Sequence, residues 1–467
     1  MLYERIVEQL LQEMKDGKRR PGDKLPSIRE GAEAFGCSRN TVIRAYGELE
    51  QSHRIYAVPQ SGYYVAHRSQ GREDGRSSEE VQNIIDFVWA GPDRSAMPYR
   101  DFQHCMNEAI ERYREDMFTY SEGQGLASLQ LQLARHLRDL QVFTVPERIY
   151  VVTGSQQALN LLVGLPYPNG KLNIVVEQPV HAGMIESLRG FGGEVHGIRY
   201  EEGGVDLGQL EALFRDGDIK FFYTVSRFHN PTGYSHTNEA RKRMVELAQR
   251  YDVYIIEDDY MGDLDGDPRN DPMFAYDPSG RVIYVKSFSK VMLPGLRLGL
   301  AVLPDGLRDE FLRAKAAADV HSPLLTQGAL EVFLESGMFS AHIGRMREIY
   351  RRKAVLLQES YRKYLPPGTT YTGSFSGFYT TIELPAPLRA QAAADYLLQR
   401  GVLVDPAQRM YLPEFRQEGV LRLSVSQVEE GLIEPGVRVI ADGIRELLRQ
   451  RTEVVFVERG GNNPSFL

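Results

Sequence analysis

The chain has 467 residues, 42% apolar and 25% charged, with a formal net charge of −8. That balance belongs to a globular protein and argues against a surface coated in basic charge, and no run of 18 or more apolar residues offers a membrane span. The length implies two or three domains, and Cys37 and Cys105, far apart in the chain, argue for a reducing, cytoplasmic setting over a disulfide framework.

The first segment, LYERIVEQLLQEM, sets Ile6, Val7, Leu10, Leu11 and Met14 at helical spacing and carries no small-residue cleavage site, so it reads as a helix and not a signal peptide. GKRRPGDKLP is a loop punctuated by Gly17, Pro21-Gly22 and Pro26. A second helix starts at Ser27, an N-cap with Glu30 three residues on, and a third restarts at Ser38. RIYAVPQSGYYVA then reads as two short strands around Pro59–Gly62. The order predicts an α+β winged helix-turn-helix over residues 1–66.

Residues 1–70 hold 11 lysines and arginines against nine acidic residues, so the acidic excess lies in the other 397 residues. Arg29, Arg39 and Arg44 fall on or beside the second and third helices, and Ser38, Asn40 and Thr41 open the third. Side chains there suit phosphates and base edges: Arg39 a guanine, Asn40 an adenine. Gly62 at the hairpin tip lets backbone approach a groove. The alternative is a docking domain with solvated arginines.

Residues 67–84 are rich in Ser, Gly and charge and read as a linker. From 85 to 456 short apolar runs, among them YVVT, NIVVE, KFFYTV, VYIIE and VIYV, alternate with amphipathic segments. That predicts an α/β domain with a mainly parallel sheet covered by helices. Phe339–Tyr364 reads as one long helix, and about 340–456 forms a smaller α+β part. Residues 457–467 form a disordered tail.

Several turns of this second block bear chemistry. Gly154 precedes a helix whose first N–H groups, at Ser155 and Gln156, suit a phosphate, although such turns are also common structural punctuation. Asp258 and Tyr260, in EDDY, end a strand; a carboxylate there suits a protonated ring nitrogen, a metal or a loop cap. HNPTG brings Asn230 in a tight turn. SFSK places Ser287 and an amine, Lys290, after a strand, and Arg297 follows with a forked phosphate contact.

LYERIVEQLLQEM, PGDKLPSIRE, FGCSRNTVIRAYGELEQ and GYYV together resemble the GntR-type winged helix of bacterial transcription regulators. The resemblance implies double-stranded DNA binding through Arg29, Ser38, Arg39, Asn40, Thr41 and Gly62; Arg44 is added from its helical position. The order TGSQQ, HNPTG, EDDY, SFSK and PGLR is similar to fold-type I aminotransferases that use pyridoxal 5′-phosphate (PLP). That resemblance implies that Lys290 holds the cofactor as an imine and Asp258 pairs with its ring nitrogen. It implies further that Tyr260 and Asn230 bond the ring oxygen, and that Ser155, Gln156, Ser287 and Arg297 hold the phosphate. His181, in EQPVHAG, takes the position of an aromatic that stacks on the ring. Tyr120, in YSEGQGL, matches a tyrosine that reaches the cofactor of the partner subunit in a homodimer. Arg422, in LRLSVS, matches the clamp for a ligand carboxylate, with an ion pair inside the smaller part as its alternative.

The fusion as a whole, including GMFSAHIGRMREIYRRK at 337–353, resembles the MocR/GabR-type regulators. That group implies a PLP domain that senses an amino compound, or PLP itself, and alters DNA binding by the head. A working aminotransferase with an autoregulatory head is the alternative.

Overall fold

The computed structural model describes residues 2–52, 54–58, 61–66, 84–373 and 377–460. The chain divides into two compact units, Met1–Val81 and Gln82–Leu467. Of the expected linker, residues 67–83 lie outside the described residues, as do residues 461–467 of the expected tail.

The first unit has three helices, α1 (Leu2–Lys15), α2 (Ile28–Ala34) and α3 (Arg39–Gln51), and an antiparallel hairpin of β1 (Ile55–Val58) and β2 (Gly62–Val65). Ser27 starts α2 with a reciprocal capping box to Glu30. Ser38 starts α3 by accepting from the Thr41 N–H at 3.2 Å. Each cap satisfies a donor that the helix start leaves unbonded. The apolar stripe of α1 closes on α3 and the hairpin: Leu10, Val42, Tyr46, Leu49 and Ile55 are buried together. The Tyr46 hydroxyl is accommodated by donating to the Pro26 carbonyl at 3.0 Å.

In the second unit, β3 (Ile85–Asp86) is followed by α4 (Tyr99–Tyr113) and α5 (Ala127–Asp139), then β4 (Ile149–Val152), α6 (Ser155–Gly164), β5 (Asn173–Gln178) and α7 (Ala182–Ser187). Next come β6 (Val195–Glu201), β7 (Gly204–Val205), α8 (Leu207–Asp216), β8 (Ile219–Thr224), α9 (Asn238–Arg250) and β9 (Tyr254–Asp258). β10 (Val282–Ser287), β11 (Gly299–Val302), α10 (Arg308–Asp319) and α11 (Leu324–Glu335) complete the larger part. Its eight-stranded sheet has the order β4-β11-β10-β9-β8-β5-β6-β7. β6, β5, β8, β9 and β10 are parallel neighbours, whereas β11 runs antiparallel to both β10 and β4.

The two-residue period of the strands divides the core. Val176, Phe221, Tyr223, Ile256 and Val285 enter the larger hydrophobic cluster, while their neighbours Val175, Phe222 and Ile255 enter a second. Each central strand is thereby buried on both faces, which is why these runs are continuously apolar.

The smaller part contains α12 (Met338–Tyr364), β12 (Thr370–Tyr371), β13 (Tyr379–Glu383), α13 (Ala390–Leu398), β14 (Val402–Leu403), β15 (Asp405–Pro406), β16 (Val420–Ser424) and α14 (Glu430–Gly460). Its four-stranded sheet has the order β12-β13-β16-β15. Two details differ from the sequence reading. β3, at the start of the unit, pairs in parallel with β14, so residues 85–86 join the smaller part and not the large sheet. α14 also extends through 457–460, into the expected tail, because no proline or glycine interrupts the chain between Gly443 and Gly460.

Candidate cofactor site and nucleic-acid interface

The carboxyl ends of the parallel strands deliver the chemistry-bearing residues of the second unit to one edge of the sheet, the usual ligand side of such folds. Asp258 is the last residue of β9 and is buried. It sits opposite Val285, two residues before Ser287, in the β9–β10 ladder. The Tyr223 hydroxyl on β8 donates to its Oδ2 at 3.0 Å, while Oδ1 is buried with no partner among the described residues. Burial raises its pKa to about 7, with the neighbouring Asp259 adding and the Tyr223 hydrogen bond and Lys290 opposing.

Lys290 lies in the turn after β10. Its ammonium donates to the Ala90 carbonyl at 2.8 Å and lies 6.0 Å from the centre of the Tyr379 ring. Ser287, at the end of β10, is buried and accepts from the Ser289 N–H at 3.2 Å. Ser155 is the first residue of α6, directly after Gly154 at φ 78°. The backbone at 154 favours glycine. The backbone is left-handed, and a Cβ there would come within 2.5 Å of the Arg297 guanidinium. Arg297 lies beside the start of α6, with a long 3.4 Å contact to the Thr153 carbonyl. The Gln156 side chain is committed elsewhere, donating at 2.8 Å to both the Gly183 carbonyl and the Ser187 hydroxyl. Its free contribution is the main-chain N–H at the helix start.

Asn230 is buried, with Oδ1 unpartnered among the described residues. The Tyr260 hydroxyl donates to the Phe228 carbonyl at 2.7 Å, so its proton is directed to the HNPTG loop. The same loop is anchored by His229, whose ring stacks on Tyr200 with centroids 4.4 Å apart. His181 opens α7; loss of hydration and the cations of Lys290, Arg422 and Arg409 hold its pKa down at about 3, so the ring is neutral. Gly183 has a packing reason invisible in the sequence: a Cβ there would lie 2.6 Å from the His181 ring and 2.2 Å from Gln156 Oε1. Tyr120 is 88% exposed and touches only the edge of His321, with centroids 6.0 Å apart, among the aromatic contacts.

Arg422 lies buried in the middle of β16. It donates to the Val88 carbonyl at 2.9 Å, approaches its cross-strand neighbour Asp405 at 3.3 Å and lies over the Tyr379 ring at 4.8 Å. Asp405 also holds Arg409 at 2.8 Å. The internal ion pair foreseen as an alternative is therefore present, while Arg422 Nε is buried without a partner among the described residues. Sequence reasoning missed Tyr223, Tyr379, Asp405 and the Val88–Ala90 segment. Tyr223 had a signal, since it shares the strand face of Phe221; the others meet the site only through long-range packing.

In the first unit, Ser38, Arg39, Asn40 and Arg44 are exposed and Thr41 is half-buried. Among the described residues no hydrogen bond or ion pair engages the Arg39 or Asn40 side chain, whereas Ser38 and Thr41 bond each other at 2.9 Å. Arg29 is exposed and makes only a 3.8 Å contact with Glu33. Arg44 differs: its guanidinium lies 4.0 Å over the Tyr3 ring of α1. Gly62 opens β2 at φ 122°, where an L side chain is strained.

Two layers of similarity match this division. Residues 94–440 match the family "Aminotransferase class I and II", and residues 2–65 match "Bacterial regulatory proteins, gntR family". The chain is 40% identical to an uncharacterized HTH-type transcriptional regulator, YcxD of Bacillus subtilis, over 94% of this chain and 98% of the relative. It is 28% identical to the probable rhizopine catabolism regulatory protein MocR of Rhizobium meliloti, over 90% and 89%. Among solved structures, the α-aminoadipate aminotransferase LysN of Thermus thermophilus, complexed with N-(5′-phosphopyridoxyl)-L-leucine, superposes with a TM-score of 0.70. That match has 28% identity and covers 79% of this chain and 94% of LysN.

The second unit is thus a PLP-dependent aminotransferase fold of class I and II. With its gntR-type head, the chain belongs to the family of fused GntR–aminotransferase proteins that includes relatives named as HTH-type regulators and MocR. The residues present fit PLP on their own chemistry. Asp258 offers a buried, unpartnered oxygen to a ring N–H, Asn230 a second unpartnered polar atom, and Arg297 a cation beside the start of α6. No helix among the described residues is long and apolar enough to cross a membrane.

Proposed function

We propose that this protein is a PLP-dependent transcription regulator in which the second unit senses an amino compound, or PLP itself, and changes how the head holds double-stranded DNA. PLP supplies an aldehyde that couples reversibly to an amine. In this reading Lys290 is the amine that holds it, and Ser155, Gln156, Ser287 and Arg297 carry its phosphate. Asp258, Asn230 and Tyr260 hold its polar ring atoms, with His181 against its face. Arg422 takes a carboxylate of the effector.

One observation carries the sensing role. Val88 and Ala90, close behind residues 67–83, accept hydrogen bonds from Arg422 and Lys290, the two groups assigned to the effector and the cofactor. A ligand that engages these cations competes directly with the main chain leading towards the head. Neighbouring bonds, from the Ser424 N–H to Phe87 at 2.7 Å and from the Ser426 hydroxyl to Trp89 at 3.3 Å, involve neither assigned cation. Differential contact of this kind is what a ligand needs to shift an equilibrium.

The reading includes a homodimer. Tyr120, Phe118, Tyr99 and Trp89 are large, exposed aromatics of the second unit, apolar surface of the kind a second copy would cover. Trp89 is the chain's only tryptophan and is 65% exposed. Its fluorescence reports on the Val88–Ala90 segment directly. The test is to titrate PLP and then candidate amines while following Trp89 emission and the affinity for DNA from upstream of the protein's own coding region. Coupled changes are expected. Sequence-selective DNA binding that never responds to PLP or any amine would overturn the sensing role.

The full set of Lys290, Asp258, Tyr260 and Arg422 also favours a second reading, turnover as an aminotransferase. Steady conversion of an amino donor and a keto acid, followed by rapid-mixing absorbance, would support that reading instead.

A further inference from the structure

At the far end of α6 from Ser155, beside the amino ends of β5 and β8, lies a cavity of about 770 Å³. Its wall includes Lys171, Arg189 and Lys220 and contains no carboxylate side chain. This is unusual in a chain whose net charge is −8. Lys220 is buried, and its ammonium donates to the Val163 and Leu165 carbonyls at 2.8 and 3.2 Å. The rings of Phe191, Tyr167 and Phe221 surround it at 4.8, 5.2 and 5.6 Å. The Tyr167 hydroxyl is buried with no partner among the described residues.

Helix capping accounts for part of this. Lysine at a helix C-terminus satisfies its last carbonyls and suits its dipole. Capping does not account for the second and third cations, or for the lack of any acid in the wall. Lys171 donates to the Tyr251 carbonyl at 2.5 Å, a neutral acceptor. Arg189 alone has an anionic partner, Glu186 at 3.1 Å, and that pair is exposed and so contributes little. A buried ammonium with only neutral partners is costly, and burial lowers the Lys220 pKa to about 8. A negative ligand would offset that cost.

We infer that this cavity is a second ligand site, separate from the cofactor site, for a small organic molecule bearing a compact oxyanion. The cations supply the recognition, while Phe191, Tyr167, Leu172 and Pro166 offer apolar surface to its body. Carboxylates and phosphate monoesters share the required chemistry.

The test is calorimetric titration of the full-length, PLP-loaded protein with inorganic phosphate and, separately, with benzoate at fixed ionic strength. Saturable binding of either is expected, and which one binds identifies the anion class. Lys171→Gln and Lys220→Met should each weaken it about tenfold, the loss of roughly one charge-assisted contact. The absorbance of the bound cofactor should remain intact. Lys220→Met also removes a helix cap; if it fails to fold, Lys171→Gln and Arg189→Gln, which alter more peripheral cations, decide the matter. Absence of saturable binding by both anions overturns the proposal. So does an affinity unchanged in both Lys171→Gln and Arg189→Gln, which would assign the binding to Arg422, to the head or to diffuse surface charge.

Discussion

The two units present their assigned residues in opposite ways. In the head, Arg29, Arg39 and Asn40 stand exposed, with their forks and amide almost unengaged. In the second unit, Asp258, Asn230 and Arg422 are buried, each with one polar atom lacking a partner among the described residues. A DNA duplex is large, wet and anionic, so surface cations on a rigid helix suffice to meet it, and little is lost by leaving them in water. A small cofactor is gripped by groups already desolvated before it arrives, which gives selectivity because an unmatched buried atom is costly.

The sharpest break between the units should come from Lys290→Ala. The absorbance of the Lys290-linked cofactor should vanish entirely, while DNA affinity of the cofactor-free protein stays within about twofold, less than 0.5 kcal/mol. Absorbance titration and fluorescence anisotropy check the two halves. A large loss of DNA affinity in the cofactor-free variant would mean that Lys290 supports the head by some route other than PLP.

Asp258 gives the next largest effect, and its neighbour explains why. Asp258 and Asp259 are both buried, yet their pKa values move apart. Burial pushes Asp259 up, but Arg227, Lys286 and the Tyr284 hydroxyl together hold it below the ordinary carboxylate range. Asp258, without a guanidinium, rises to about 7. Its folded pKa lies above its unfolded value, so the folded state binds the extra proton. Stability of the cofactor-free protein should therefore fall as pH rises from about 4 to about 7, by roughly 3–4 kcal/mol for this group. Subtracting the melting profile of Asp258→Asn isolates the term. In that variant PLP affinity should drop by about 10- to 100-fold, the worth of a charge-assisted hydrogen bond. An Asp258→Asn profile parallel to wild type across that pH range would show that the carboxyl is ionised without its cofactor.

Arg39→Ala should weaken DNA binding by about 1–3 kcal/mol and relax the base preference at one position. Wild-type affinity should also fall steeply with salt as phosphate contacts are screened. Anisotropy at several salt concentrations measures both. A flat salt response would remove the exposed arginines from any groove.

How much of this was legible beforehand follows from where the determining contacts lie. Ser27 with Glu30 and Ser38 with Thr41 are contacts three residues apart, so the head's helix starts were written locally. Gly154, Asp258 and Lys290 were legible for a related reason: each stands at or just after the end of an apolar strand, and a parallel sheet brings strand ends to one edge. Asp405 could not be found that way. It meets Arg422 only because β15 pairs with β16, and nothing in VLVDPAQ states that register. Pairing of β3 with β14 is equally non-local, joining residues more than 300 positions apart, and it is what sets Val88 and Ala90 over the site. Gln156 shows the limit of motif transfer: the motif locates the residue, but packing against α7 decides that its side chain is unavailable.

Arg44 is the smallest and most discriminating case, because position alone groups it with Arg39. Both lie on α3 and both are exposed, but only Arg44 rests on an aromatic face, that of Tyr3 on α1. A guanidinium over a ring contributes about 0.5–1 kcal/mol at an exposed site. Arg44→Ala should therefore lower the head's stability by that amount, while Arg39→Ala leaves it nearly unchanged. Arg44→Lys should recover part of the loss, since an ammonium retains the charge but not the planar stacking. Its effect on DNA affinity should be smaller than that of Arg39→Ala, because the side chain is already committed to α1. Thermal unfolding of the head paired with DNA anisotropy separates the two roles. If Arg44→Ala instead costs DNA affinity as much as Arg39→Ala and leaves unfolding unmoved, the Tyr3 contact is one the side chain abandons on binding, and Arg44 belongs with the exposed set after all.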